Sequence, residues 1–472
     1  MAARVRGLSG PSPYPQQFHS RPEAERAAFG LRLRQRCPRN AHARWRPART
    51  RPDPIALLIA SDKGRLPNLI PLRYGRMMAS PFTFYRGAAA IMASDLARTP
   101  ATGIAVQACG DCHLLNFGGF ATPERRLVFD INDFDETAIA PWEWDVKRLA
   151  ASFVIAGRAN RFTAADCREA AWWAARRYRE RLAEYARAPV IDAWHAAIDL
   201  EALVASGTGE ALRSFSRKRV LKAAQASQHH DELHKLTHEE GDFPRITDSP
   251  PLVFHLEDAT SHGRYQRIIQ RAFRRYVETL DPSRRVLLDR YELADVAIKV
   301  VGIGSVGTEC GIALFMSGNG EPLFLQFKEA RASVLEAHAG RSAYKHHGQR
   351  VVAGQRIMQA ASDAFLGWTS GDGGRHVYVR QLSDVKIKPV VEMMKPLDLL
   401  NYAKACGWAL ARAHARTGDA VMLSAYMGKG DAFEDAMSAF AVAYADQNER
   451  DYAKLIAAIR AGRITAEGSG ER

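Results

Sequence analysis

Apolar positions recur at helical spacing over residues 143–158, where Val146, Leu149, Ala150, Phe153 and Val154 share one face and predict an amphipathic helix. A second helix, rich in arginine and carrying Trp172 and Trp173, is expected over 164–186, with further helical pieces up to residue 237. Two short β-type runs precede them, at 104–108 and 126–131, and a helix is expected around 94–97. Pro244, Pro250 and Pro251 mark 242–252 as a connector, and 265–280 reads as a helix. The pattern then changes to three strand-like runs at 295–301, 309–316 and 323–327, with the turn Ser317-Gly-Asn-Gly320 joining the last two. Helices return at 332–339 and 346–364, one strand is expected at 376–381, and a final helical region at 430–461. Over 397–416, Leu400, Ala403, Cys406, Leu410 and Ala413 form a clear apolar stripe. This succession predicts an α+β fold without internal repeats.

Composition adds two constraints. With 472 residues, 47% apolar and 25% charged, the chain is long enough for two lobes and has the make-up of a globular protein. No run of 18 apolar residues suggests a membrane span, and no apolar segment follows the N-terminus, so a bacterial cytoplasmic location is expected. The formal charge of +14 is concentrated: residues 1–51 hold twelve Arg and no Lys against Glu23 and Glu25. A basic, Pro- and Arg-rich leader over 1–50 is therefore expected to be partly unstructured, and nucleic-acid binding is not expected beyond it. The six cysteines are too sparse for a disulfide scaffold. Cys109-x-x-Cys112-His113 formally matches haem-attachment and redox patterns, but an export signal is lacking. His230, His234 and His238 recur every fourth residue and read as a solvated helix face rather than a metal site.

Three clusters carry candidate chemistry. In Gly110-Asp-Cys-His-Leu-Leu-Asn116, a loop after a short strand presents Asp111 to an acceptor hydroxyl, while Asn116, five residues on, offers a hard oxygen to a phosphate-bridging metal. In Asp130-Ile-Asn-Asp133-Phe-Asp135, closely packed carboxylates call for a cation. Asp133 is the first choice as metal ligand, with Asp130 and Asp135 as rivals; alternation puts Asp133 and Asp135 on one face if the strand continues. Asp145, near a helix start, is placed to brace the first loop through backbone N–H groups. The third cluster, Gly302-Ile-Gly304-Ser305-Val-Gly307, leads into a strand and not a helix, which disfavours a dinucleotide turn and favours a glycine-rich hairpin over phosphates. Lys328, at the end of the third strand, then holds phosphate, with Glu336 as its candidate partner.

Arg76–Phe82, Phe84–Gly87, Gly110–Phe117 and Phe129–Arg148 resemble the bacterial family DUF2252 over most of the chain beyond residue 50. Separately, Gly110–Asn116 with Asp133 and Asp145 is similar to the catalytic half of aminoglycoside- and choline-kinase-like phosphotransferases, whose pattern is His-Gly-Asp-x-x-x-x-Asn followed by Asp-aromatic. Cys109 stands where that pattern has His. The resemblance implies a protein-kinase-like two-lobed fold in circularly permuted order, helical C-lobe first and β-rich N-lobe second. Its units would be 51–290, a nucleotide-binding lobe over 291–390, and helices over 391–472 that complete the helical lobe. The activity implied is ATP- and Mg²⁺-dependent phosphoryl transfer to an unidentified small molecule or protein through a hydroxyl or amine. A nucleotide-binding pseudokinase or adaptor, and nucleotidyl transfer to protein, are the alternatives. The permuted arrangement requires Lys328 and Asp133 to lie within about 15 Å, close enough to share one phosphate–metal cluster.

Overall fold

Prolines and capping side chains set many of the helix starts. Asp53 accepts from Ala56 N ahead of Pro54, and Ser80 and Thr83 form a capping box around Pro81. The computed structural model describes residues 20–205, 233, 236–240, 243–255, 262–382 and 387–467. Helices α1 (Glu23–Arg36), α2 (Pro54–Ser61), α3 (Ile70–Met77), α4 (Pro81–Gly87) and α5 (Ala89–Leu96) come first. The leader is ordered from residue 20 onward. Its arginines serve as tertiary ties: Arg26 meets Asp419 at 3.1 Å, and Arg51 bridges Asp95 at 2.7 Å and Asp451 at 2.5 Å. Of the leader over 1–50 expected to be partly unstructured, residues 1–19 lie outside the described residues.

Next come β1 (Ala105–Ala108), β2 (Phe117–Ala121), β3 (Leu127–Ile131) and β4 (Ala138–Pro141), then the long helices α6 (Trp142–Ala159) and α7 (Ala164–Tyr185). Val146, Leu149, Ala150, Phe153 and Val154 are buried, but so is every other residue from Trp142 to Gly157, so α6 is enclosed on all sides rather than amphipathic. Strands β5 (Thr237–Glu240) and β6 (Phe243–Ile246) form a small antiparallel pair in the stretch read as helix and connector. His238 lies in β5; His230 and His234 fall outside the described residues.

A six-stranded antiparallel sheet follows, in the order β11-β12-β10-β9-β8-β7. Its strands are β7 (Val253–Phe254), β8 (Tyr291–Lys299), β9 (Cys310–Ser317), β10 (Pro322–Glu329), β11 (Gly367–Ser370) and β12 (His376–Gln381). Alternation along β9 and β10 sorts the side chains. Phe315, Leu323 and Leu325 pack with Tyr276 of α8 (His262–Glu278) on one face, and Ile312, Leu314 and Phe324 pack with Ile246 on the other. Helix α9 (His347–Met358) lies beside β11 and β12. The helix expected over 332–339 is reduced to the single turn Glu336–Ala339.

Helices α10 (Pro396–Ala415), α11 (Ala420–Met427) and α12 (Ala432–Arg460) close the chain and pack back onto α6 and α7. Trp142, stacked on Tyr178 with rings 5.8 Å apart, sits in their shared core. The protein is thus a mixed α/β structure, and none of the described helices is long and apolar enough to cross a membrane.

Candidate functional site

Two nested antiparallel ladders bring the first two motif loops together. The outer ladder pairs β1 with β4, ending at Ala108↔Ala138, and the inner one pairs β2 with β3, starting at Phe117↔Ile131. Residues 109–116 and 132–137 are the two unpaired arms between these ladders, so they must lie side by side. Asn132 N donates to Asn116 O at 2.8 Å across this gap, and Thr137 Oγ1 donates to Ala108 O at 2.6 Å. Strand β3 ends at Ile131, so Asp133 and Asp135 stand on a turn and not on one strand face.

Helix α6 holds the first loop with residues spaced along one face. Asp145 accepts from Cys109 N at 2.6 Å and Gly110 N at 3.0 Å, and Ser152 accepts from Leu114 N at 3.0 Å. Asp145 is held in turn by His414 Nε2 at 3.1 Å, and the other nitrogen of His414 meets Tyr178 at 2.9 Å. The expected bracing by Asp145 is present. Gly110 has φ +87°, and a Cβ there would lie 2.1 Å from the Glu136 carbonyl, so this position admits only glycine. Cys109 Sγ donates to Asp133 O at 3.4 Å, linking the two loops. Burial pushes the Cys112 thiol well above its ordinary value, and both cysteines are fully buried; they pack as small apolar side chains rather than reactive thiols.

Arg148, between Asp145 and Ser152 on the same helix, grips Asp111. Its Nε donates to Asp111 Oδ1 at 2.7 Å and its Nη2 to the same oxygen, while Nη2 also meets Tyr85 O at 3.2 Å. Among the described residues, no hydrogen bond reaches Asp111 Oδ2; His113 Nε2 is its neighbour at 3.9 Å. Burial pushes His113 down to about 3, so its ring is neutral at physiological pH. Asn116 Nδ2 donates to Asp111 O at 2.6 Å, which leaves Asn116 Oδ1 for another partner.

The acidic residues separate into different roles. Asp130 is fully buried: Arg412 Nη2 reaches both of its oxygens at 2.7 and 2.8 Å, and Ala360 N and Ile131 N fill the rest. It anchors α10 and is not available to a metal. Asp135 accepts from Lys328 Nζ at 2.5 Å and Tyr378 at 2.6 Å, with Ser305 Oγ at 3.4 Å. Lys328 and Tyr378 sit opposite each other in the β10–β12 ladder, so both side chains leave the same face and converge on Asp135. Among the described residues, Asp133 accepts only from Asp135 N, at 3.3 Å on Oδ1. Burial opposes its charge, yet Lys328 and Arg380 hold its carboxyl below the usual range. Burial likewise opposes the charge on Lys328, and Asp133 and Asp135 outweigh it, keeping the ammonium protonated. Glu336 does not meet Lys328. It accepts from Ser333 N and Ser342 N and faces Arg350 at 3.6 Å, because the chain after β10 forms no long helix to carry it back over the sheet.

The glycine-rich segment bridges β8 and β9 as a turn fastened to the N-terminal helices. Arg76 donates to Gly302 O at 2.6 Å, Arg65 to Val306 O at 2.5 Å, and Leu66 N to Gly307 O at 2.7 Å. Gly302, Gly304 and Ser305 line a cavity of about 340 Å³ together with Asp111, Asn116, Asp133, Asp135 and Glu136; Arg65, Arg73, Arg86 and Arg331 form its basic side. Gly307 turns away toward Arg65.

Among the described residues, no group of three or more His, Cys, Asp or Glu is placed to hold a metal by itself. Asn116 Oδ1 and Asp133 Oδ2 are nonetheless hard oxygens without hydrogen-bond partners among the described residues. That set fits Mg²⁺, which usually takes one or two carboxylates and completes its shell with water and phosphate. Arg148, Tyr378 and Arg380 were missed from the sequence. Arg148 alone had a local signal, lying one helical turn beyond Asp145.

The fold and site define a mixed α/β protein with a charged cavity assembled from loops of its helical and sheet parts. A family model described as "Uncharacterized protein conserved in bacteria (DUF2252)" matches residues 65–458, and the chain belongs to that family. No curated protein and no solved structure matches it.

Proposed function

We propose that the chain is an ATP- and Mg²⁺-dependent phosphotransferase of kinase-like type, its parts in permuted order, acting on a hydroxyl or amine acceptor. The observation that carries this reading is the convergence on one cavity of Asp111, Asn116 and Asp133 with Gly302, Gly304 and Ser305, nearly two hundred residues later in the chain. Lys328 joins the same cluster through Asp135, well inside the distance that a shared phosphate–metal site requires.

Each group has a role that its surroundings suit. Asp111, pinned through Oδ1 by Arg148, presents Oδ2 to the acceptor proton. Asn116 Oδ1 and Asp133 Oδ2 would hold the metal. Bound Mg²⁺ supplies neutralisation of charge on the phosphate oxygens. Lys328 is kept charged and is positioned to exchange its contact with Asp135 for a phosphate oxygen. Gly302 and Gly304 let the loop backbone approach without a Cβ in the way; nothing lies within 4 Å of a Cβ built at Gly302. Transfer of this kind depends on positioning and electrostatics, which these few groups supply.

Thermal unfolding with and without Mg²⁺-ATP tests the reading, with Asp133→Ala alongside. A ligand that binds only the native state at a hundred times its Kd adds ~2.7 kcal/mol. The wild-type midpoint should rise and the mutant's rise should shrink. An unmoved wild-type midpoint at millimolar Mg²⁺-ATP would overturn the proposal.

A further inference from the structure

Four arginines line the cavity, and three of them are already committed. Arg73 donates to Asp62 at 2.7 Å and to Ser61 and Gly87 O; Arg65 donates to Ser61 O and Val306 O; Arg331 donates to Lys63 O. Arg86 makes neither a hydrogen bond nor an ion pair with the described residues, and its Nε is buried without a partner. The charged groups that act on it are Asp111, Glu392 and Asp133, with Arg76 opposing. Neither Asp111 nor Asp133 hydrogen-bonds Arg86: Asp111 is held through Oδ1 by Arg148, and Asp133 Oδ1 accepts from the Asp135 amide. Arg86 is half-buried and lines the cavity, so its guanidinium, with no hydrogen-bonded counter-charge among the described residues, is open to an anion that arrives from outside.

The local structure holds this arginine in place. It lies in the last turn of α4, whose Phe84 and Tyr85 are buried, and the Tyr85 hydroxyl donates to Arg148 O at 2.7 Å. The Arg148 side chain returns a bond to Tyr85 O while gripping Asp111. One residue thus registers the Arg86 backbone against the proposed base. Gly304 sits over it, with a built Cβ 3.9 Å from Arg86 O.

We infer that Arg86 is the clamp for a phosphoryl oxyanion in this cavity, beside Asp111. The inference deepens the phosphotransfer reading and rests on it for the source of that group: the terminal phosphoryl of the nucleotide, or an anionic group on the acceptor. The planar fork of a guanidinium matches two phosphoryl oxygens, and its loss weakens such a contact on the order of tenfold to a hundredfold.

The test is calorimetric binding of Mg²⁺-ATP, Mg²⁺-ADP and inorganic phosphate to wild type, Arg86→Gln and Arg86→Lys, with unfolding midpoints of each free protein. Because Arg86 has no hydrogen-bonded or ion-paired partner among the described residues, the free Arg86→Gln protein should unfold at or above the wild-type midpoint. Loss of ATP affinity with ADP affinity kept, and partial recovery in Arg86→Lys, assigns the clamp to the terminal phosphoryl. Unchanged nucleotide affinities with lost phosphate binding in the presence of Mg²⁺-ATP assigns it to the acceptor. If wild type binds phosphate through Arg86 but no nucleotide, the clamp stands and the ATP reading fails. Wild-type affinities in Arg86→Gln for all three probes, no phosphate or nucleotide binding to wild type, or a clear drop in the free protein's midpoint, overturns the inference.

Discussion

Lys328 Nζ lies 2.5 Å from the Asp135 carboxylate, joining the end of β10 to a loop 193 positions earlier. Tyr378 donates to the other oxygen of the same carboxylate at 2.6 Å. The contact ties the sheet to the acidic loop that enters the helical part of the molecule.

A double-mutant cycle measures that tie. The Lys328 side chain is 4% exposed and that of Asp135 28%. Removing one partner should therefore cost about 2–3 kcal/mol, below the 3–5 of a fully buried pair. Lys328→Met with Asp135→Asn should cost at least about 1 kcal/mol less than the sum of the single changes, read from urea unfolding. Strict additivity would show that the two groups do not interact.

Gly110→Ala should be among the most damaging small substitutions in the chain. The left-handed backbone and the approach of the Glu136 carbonyl to 2.1 Å of a Cβ leave no room to relax without separating the two motif loops. A loss of about 3 kcal/mol or more is expected. Gly103, also at positive φ (+83°) but with nothing within 4 Å of a Cβ, is the control. Its change to Ala should cost about 1 kcal/mol. Equal costs at the two positions would remove steric approach as the cause.

Metal binding should depend on the nucleotide. Two protein oxygens, Asn116 Oδ1 and Asp133 Oδ2, make a weak site until phosphate oxygens complete it. Titrating Mg²⁺ into the protein alone should give little heat, and titrating it in the presence of ATP should give a saturable signal that Asn116→Ala and Asp133→Ala both weaken. Tight Mg²⁺ binding to the free protein would point to another set of ligands.

Glu136 sets a pH dependence. Burial raises its carboxyl to about 6 from 4.5, even though Val334 N donates to it and Arg350 is near. The native state therefore holds a proton more tightly than the unfolded chain, and stability falls as pH rises from 4.5 through 6. The shift corresponds to about 2 kcal/mol. Glu136→Gln should remove that fall, so the mutant's stability relative to wild type should increase by about this amount across the window and stay level above it. A difference that does not change with pH would mean that Glu136 titrates normally.

Much of the site was legible because its parts are local. The interval between Gly110–Asn116 and Asp130–Asp135 is that of a hairpin, and β2 and β3 pair in that way. Asp145 was legible as a brace because a carboxylate at a helix start seeks backbone N–H groups, which Cys109 and Gly110 supply. The strands at β9, β10 and β12 followed from their β-type runs, and the Ser317–Gly320 turn joined the first two. Helix α11, strand β11 and the β5–β6 pair did not, since short elements are settled by the neighbours they pack on. The same limit misplaced Glu336 and Asp130. Each has a charged neighbour, Arg350 or Arg412, that no spacing rule connects to it.

The sequence by itself determined the α+β succession, the paired motif loops and the glycines that let backbones meet. Only the tertiary structure decided which carboxylates were spent on structure and which were left open to the cavity. Periodicity governs which residues of one element share a face. The partner that neutralises a buried charge, by contrast, is whichever group the closed chain brings within a few ångströms, and Arg412 reaches Asp130 from 282 positions away.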